Sequence, residues 1–501
     1  MAGSGDRPRP SGTLRAVLAT GAALVALTSW AGIAGAQPTS AGPTAPPGPS
    51  AIVTPSLHGG HGVFLADPIP VDLHRYGYVQ HEYLAAGTAS SYQATAPLGF
   101  DGQWSFAPAG TAPYRTRIVV RQPADRSKFS GTVVVVWLNV SGGVDASPEW
   151  ATVHQQIIRQ GDIWVGVSAQ SIGVEGGPVL VKVQAPGSDK VGKGLKTIDP
   201  ARYGSLQHPG DGYSFDIYTQ VARALRSGAG LGGPKPKRLI AAGESQSAFA
   251  LVTYYDGVQP LTGAFDGFFV HSRGGSGLPL VAPGKSADLA GSIGRSAALF
   301  RTDLSAPVMD VQSETDLTSV LNSYAARQPD NSRLRIWEVV GTSHADAHLM
   351  GSGAKYVHCG VPINNGPLYL VAQAGYRDLV SWVASSKAPP TAPRIVVTPG
   401  PVPQIQRNGL GIALGGVRTP PVDVPAEVLS GVPGPNPSTI CLLLGSGQAL
   451  SAAQLTHRYR SRSAYLAQYR ADMAKVIKAG FILPQDGSNL LAFAQPSRIP
   501  G

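Results

Sequence analysis

Gly243-Glu244-Ser245-Gln246-Ser247 lies between an apolar run with strand character, Lys237 to Ala242, and an apolar run with helix character, Ala248 to Tyr255. A serine on so tight a strand-to-helix turn is held in a strained backbone with its hydroxyl pushed clear of the sheet edge. Small residues two before and two after it let strand and helix approach closely. This is the pattern of a nucleophile elbow, G-x-S-x-G, with Ser247 where the last glycine is usual. A serine hydroxyl attacks well only when a base takes its proton, and that base needs a third group to orient it.

Partners of an elbow serine follow it in the chain, acid first and base second. The base expected here is His344, in Gly341-Thr342-Ser343-His344-Ala345-Asp346, directly after a strand that ends at Val340. Of the other histidines beyond Ser245, His271 comes too early and His457 falls in a helical stretch. The acid is expected in Val311-Gln312-Ser313-Glu314-Thr315-Asp316-Leu317, with Asp316 the first choice and Glu314, two residues earlier, a rival that a small loop adjustment would bring into reach. An oxyanion site needs two backbone N–H groups. One is expected from Gln246, and the other from Val140 or Ser141 in the loop Asn139-Val140-Ser141-Gly142-Gly143. Trp137, His208 and Tyr213 are pocket candidates that could equally be core or loop packing.

These groups need a sheet edge to gather on. Gly131 to Leu138 is an unbroken β-branched run, the mark of a strand buried on both faces. A helix from Trp150 to Gln160 and a second buried strand, Ile163 to Ser168, follow it. A helix from Ser214 to Arg226 then precedes the elbow strand. Beyond the elbow come strands at Phe265–Val270, Pro307–Gln312 and Leu334–Val340. Short strands are expected earlier, at Gly77–Val79 and Arg115–Arg121, and helices later, at Leu368–Ser385 and Tyr459–Gly480. Strands alternating with helices predict an α/β fold: a doubly wound, mostly parallel sheet whose sites form along its carboxyl edge. Gly- and Pro-rich insertions at 171–212 and 271–305 both leave that edge and read as lid-like.

The chain has 501 residues, 43% of them hydrophobic and 14% charged, so it is globular rather than disordered. Residues 1–36 read as a signal peptide: Arg7, Arg9 and Arg15, an uncharged stretch, then Ala34-Gly35-Ala36 as the cleavage site. Residues 37–56 read as a flexible Pro/Ser/Thr-rich linker, and 57–501 as one catalytic domain with an extension from about 390. The net charge of +10 is dispersed and lacks interleaved aromatics, which argues against nucleic-acid binding and leaves room for weak association with an anionic cell envelope. Cys359 and Cys441 are the only cysteines, and an exported chain favours pairing them. The oligomeric state is open.

Taken together, the Asn139–Gly143 loop, His208-Pro209-Gly210-Asp211, the elbow, Ser313-Glu314-Thr315-Asp316 and Gly341–Asp346 resemble the α/β-hydrolase superfamily. More narrowly they are similar to a branch of large bacterial "alpha/beta hydrolase domain" proteins, often exported. The resemblance spans about residues 70 to 490. It implies a serine hydrolase of the carboxylic ester hydrolase kind, with no metal and no organic cofactor, but no particular substrate; the partner expected is a small-molecule or lipid-like ester. Lipase, thioesterase, acyltransferase and peptidase chemistry use the same triad. Two other readings stand beside it. His344 and His348, at i and i+4 around Asp346, have the spacing of a metal hydrolase, although the zincin pattern places Glu directly after the first His. A non-catalytic envelope protein on a hydrolase scaffold is the other.

Overall fold

A computed structural model describes residues 48–233 and 235–500. The leader and its cleavage site, expected at 1–36, lie outside the described residues, as does most of the linker. The described end of that linker is not featureless: Ile52–Thr54 (β1) pairs antiparallel with Leu84–Ala86. Among the described residues, no helix is long and apolar enough to cross a membrane.

Among the described residues the main sheet has nine strands. After β1 come β2 (Tyr78–Ala94), β3 (Phe106–Pro123), β4 (Thr132–Trp137), β5 (Ile163–Val167), β6 (Arg238–Glu244), β7 (Gly267–His271), β8 (Val308–Ser313) and β9 (Leu334–Val339). Their spatial order is β1-β2-β3-β5-β4-β6-β7-β8-β9. The first three strands and the β3–β5 pair are antiparallel, and every pairing from β5 through β9 is parallel. The expected doubly wound, mostly parallel α/β sheet is therefore present. The two short early strands turn out to be the ends of one long hairpin, β2–β3, bulged between Ser90 and Tyr92. Its Ala-, Gly- and Ser-rich stretch carries little alternation, so cross-strand pairing rather than local pattern sets its length.

The central parallel strands are largely apolar because both faces are covered. Val133, Val135 and Trp137 of β4 pack on one side with Ser214–Arg226 and the elbow helix Gln246–Thr253. Val134 and Val136 pack on the other with the helices Pro148–Gln160 and Leu368–Ser385. Such double burial fixes β4 in register, and with it the loop that leaves β4 at residue 138.

Three further segments shape the carboxyl edge. The insertion at 171–212 is pinned to the β4 loop, since the Leu180 and Val181 N–H groups both donate to the Ser141 carbonyl. Asp211 joins this insertion to the one at 271–305: its carboxylate accepts from Ser171 N–H and Ala287 N–H, each at 2.7 Å. Asp211→Ala should free both, with KM rising several-fold in steady-state assays while the global melting temperature falls only by a few degrees. The extension beyond 390 covers the outer edge of β9, where Val340 N–H donates to Val417 O and Val417 N–H to Glu338 O. A Cys359–Cys441 disulfide, spanning 82 residues, ties the extension to the segment after β9.

Candidate active site

The elbow has the geometry its sequence predicts. Ser245 directly follows β6 and caps the helix Gln246–Thr253, with φ 59° and ψ −120°, a backbone few non-glycine residues adopt. Its N–H is anchored by the His271 carbonyl on β7 at 3.0 Å. Residues 241–250 are otherwise buried, while Ser245 is half-buried. Close packing explains Ser247. A Cβ on Gly243 would stand 2.9 Å from the Ser247 Cβ, so side chains cannot occupy both positions, and glycine at 243 leaves room for serine at 247. Gly243→Ala should therefore cost about 1–3 kcal/mol by overpacking, read by thermal melting, and lower activity further by displacing the elbow.

His344 follows β9 and reaches back over the elbow. Its Nε2 lies 2.8 Å from Ser245 Oγ and its Nδ1 lies 2.7 Å from Asp316 Oδ1. The local chemistry of Ser313-x-x-Asp316 aims that carboxylate. Ser313 caps the turn 314–318 by accepting from the Asp316 N–H, and the Asp316 Oδ2 in return accepts from the Ser313 N–H at 2.6 Å. One oxygen is thus fixed by the backbone and the other faces the imidazole.

Glu314 is engaged elsewhere. Its carboxylate accepts from Arg407 Nη2 at 2.6 Å, Gly341 N–H at 2.8 Å and Gly431 N–H at 2.9 Å. It is a buried tie between the β8 turn, the histidine loop and the extension. That removes it as the partner of His344 in this conformation.

The loop Asn139–Gly143 stands beside the elbow, joined to it by Asn139 Nδ2 donating to the Glu244 carbonyl at 3.1 Å. The two N–H groups expected to serve as donors are engaged. Val140 N–H donates to Gln246 Oε1 at 3.1 Å, and Ser141 N–H donates to Asn139 Oδ1 at 2.8 Å. The Gln246 N–H lies in the first helical turn, where no intrahelical acceptor exists. Ser141 faces the cavity beside Ser245; Val140 is fully buried.

That cavity is narrow, about 30 Å³, and three segments wall it. The first insertion contributes Leu180 and Val181, the second Leu278, Leu289 and Ile293, and the extension Thr439 and Leu443. Phe249 and Leu321 complete a largely apolar wall. Trp137, His208 and Tyr213 do not line it, which corrects the sequence expectation. Trp137 packs in the core against Phe215 and Tyr218 and donates to Gln170. His208 Nε2 bonds the Ala169 carbonyl at 2.9 Å, and Tyr213 belongs to the core under the insertions. A large aromatic near a sheet edge looks the same in sequence whether it faces a cavity or a helix.

Directly behind the elbow lies a cluster that sequence inspection missed. Glu244, the residue before Ser245, His271 at the end of β7 and Glu149 at the start of the helix Pro148–Gln160 meet there, all buried. Burial raises the Glu149 carboxyl above its ordinary range, although His271 opposes this. Burial would lower the His271 imidazole, but Glu244 and Glu149 outweigh it and hold the ring well above its usual value. Nearby, burial pushes Asp346 up to about 7 and lowers His348. The elbow pattern itself leaves the residue before the serine unspecified, so only the neighbouring strand reveals the partner of Glu244. His344 and His348 do not form the metal pair that their spacing allows. Both His344 nitrogens are used by Asp316 and Ser245, and His348 stacks on Tyr369 with centroids 3.8 Å apart.

An elbow at the carboxyl end of a central parallel strand, with this strand order, defines an α/β hydrolase. The chain belongs to the family described as "Alpha/beta hydrolase domain", whose model matches residues 41–492. No curated protein matches it. Among solved structures it is similar to an α/β serine hydrolase without lid from Xanthomonas campestris, at 14% identity, covering 59% of this chain and 94% of that one with a TM-score of 0.28. A putative dienelactone hydrolase from Klebsiella pneumoniae shares 12% identity over 60% and 99% of the two chains, TM-score 0.28. A fungal esterase from Rhizomucor miehei shares 10% over 60% and 85%, TM-score 0.31. Similarities this distant carry no argument about substrate.

Proposed function

We propose that this hydrolase cleaves carboxylic esters through an acyl-enzyme on Ser245, with His344 as base and Asp316 as acid. The observation that carries the reading is the continuous hydrogen-bonded chain from Asp316 through His344 to Ser245, opening into an apolar cavity. His344 Nε2 takes the Ser245 proton as Oγ bonds to the ester carbonyl carbon. The imidazolium, stabilised by Asp316, then gives that proton to the departing alcohol. Water repeats the sequence on the acyl-enzyme and releases the acid.

Charge on the tetrahedral oxygen is received by Gln246 N–H and, from the loop side, by Ser141. Ser141 offers both an N–H and a hydroxyl, and both point at the neutral Asn139 Oδ1, at 2.8 and 2.7 Å. A developing oxyanion is a stronger acceptor than an amide oxygen and draws a donor away from it. Ser141→Ala should lower kcat by about tenfold or more while KM stays nearly constant, because the hydroxyl is used only as charge develops.

The apolar wall favours an aliphatic or aromatic acyl or alcohol group over a charged one. Export fits the disulfide, which persists in oxidising compartments. The test is fluorophosphonate labelling followed by a panel of esters graded in acyl and alcohol size. Labelling of Ser245 with hydrolysis of the apolar members is expected. A folded protein that neither labels nor hydrolyses any of them would instead favour a non-catalytic role.

A further inference from the structure

The cluster behind the elbow has the chemistry of a metal site. Glu149, Glu244 and His271 come from a helix, β6 and β7, and their donor atoms all lie within 4.8 Å of one another. The His271 Nδ1 stands 3.5 Å from a Glu244 carboxylate oxygen and 3.6 Å from one of Glu149. These separations are too long for hydrogen bonds, and neither ring nitrogen nor either Glu149 oxygen has a hydrogen-bond partner. They are close to the edges of a tetrahedron of donors at zinc bonding distances, roughly 3.3–3.4 Å.

Charge points the same way. Glu149, Glu244 and His271 are each at most 2% exposed. Two buried carboxylates facing one imidazole leave a negative charge even when the ring is protonated. Asp346 lines the adjoining small cavity, with Glu244, His271, Thr152 and His348 on its walls. Buried, incompletely paired charge is costly, and orphaned polar atoms add to that cost. A divalent cation neutralises the two carboxylates, accepts the lone pair of a neutral His271 and satisfies the unpartnered donors together. The mixed imidazole–carboxylate set suits a transition ion rather than Ca²⁺ or Mg²⁺.

We propose that Glu149, Glu244 and His271 bind one divalent transition ion, Zn²⁺ fitting best, which fastens β6 to β7 and to the helix Pro148–Gln160 beneath the nucleophile. The ion is structural. It sits behind the elbow, and the cavity side, which His344 also borders, completes its coordination with solvent; both His344 nitrogens are taken by Asp316 and Ser245, so that ring is not a ligand. This departs from the metal-free expectation drawn from the resemblance, and it gives Glu244, at the unspecified position of the elbow, a role of its own.

The test is elemental analysis of the full chain purified without chelator, together with melting curves. About one zinc per chain is expected in the wild type and less than about a tenth in His271→Ala and Glu149→Gln. Stripping with dipicolinate should lower the melting temperature by several degrees, and Zn²⁺ alone should restore it. Co²⁺ in the stripped wild type should show the visible ligand-field bands of a low-symmetry site, which decides the matter even when a variant fails to fold. Wild-type protein that carries no metal, takes up neither Zn²⁺ nor Co²⁺ and melts unchanged overturns the proposal, and the cluster then shares a proton instead. Fluorophosphonate labelling reads Ser245 independently of metal content, so failure of the ester-hydrolase reading would be seen separately.

Discussion

Replacing Ser245 with alanine should reduce ester hydrolysis by about 10⁴- to 10⁶-fold and abolish fluorophosphonate labelling, with the melting temperature nearly unchanged. His344→Ala should lose as much, because the hydroxyl and imidazole act as one unit 2.8 Å apart. The sharper comparison lies between the two carboxylates. Asp316→Asn keeps the shape of the turn but puts a neutral amide against His344 Nδ1, and a loss near 10⁴-fold in kcat is expected. Glu314→Gln should behave differently. It breaks the charge-assisted contact with Arg407 and weakens the acceptor held by Gly341 and Gly431 N–H, so its main effect is on stability, by about 3–5 kcal/mol. Once folded, it should keep most of its activity. Near-normal rates in Asp316→Asn, with loss in folded Glu314→Gln, would reverse the assignment.

The disulfide carries the second large effect. Closing a loop of 82 residues restricts the unfolded chain by about 4–5 kcal/mol in the chain-entropy model. The double variant Cys359→Ser, Cys441→Ser should lose an amount of that order, read as a lower denaturant midpoint, with a somewhat steeper slope because the unfolded chain is less compact. Activity should suffer beyond stability. Cys441 lies in the short helix Thr439–Leu443, whose Leu443 walls the cavity and whose Leu443 carbonyl accepts the Ala345 N–H beside His344. Loosening that helix should raise KM for the larger esters most. Wild-type KM values in a folded double variant would mean that the extension holds the pocket wall without the bond.

Much of this arrangement could be read from the chain because its signals are local. An unbroken run such as Val133–Val136 can only be a strand covered on both faces, and the strand–turn–helix at Ser245 needs small neighbours that the chain supplies. Chain order then led to His344 and to the Ser313-x-x-Asp316 turn, where a reciprocal cap between near neighbours aims the carboxylate. Local pattern failed where partners come from afar. Glu314 and Asp316 share a turn, and what separates them is Arg407, 93 residues on, which claims the first and leaves the second to His344. Trp137, His208 and Tyr213 have the right types for a pocket, yet the helix Ser214–Arg226 and the insertions bury them.

The amino-acid sequence by itself determined the sheet, the elbow and the order in which Ser245, Asp316 and His344 reach its edge, because hydrophobic period, turn sterics and chain direction act over a few residues at a time. Tertiary structure alone decided which carboxylate meets the imidazole, which side chains wall the cavity and that Glu149, Glu244 and His271 converge. Each of those depends on distances between segments far apart in the chain, 27 to 122 residues within the Glu149–Glu244–His271 cluster alone, which packing fixes and local pattern does not.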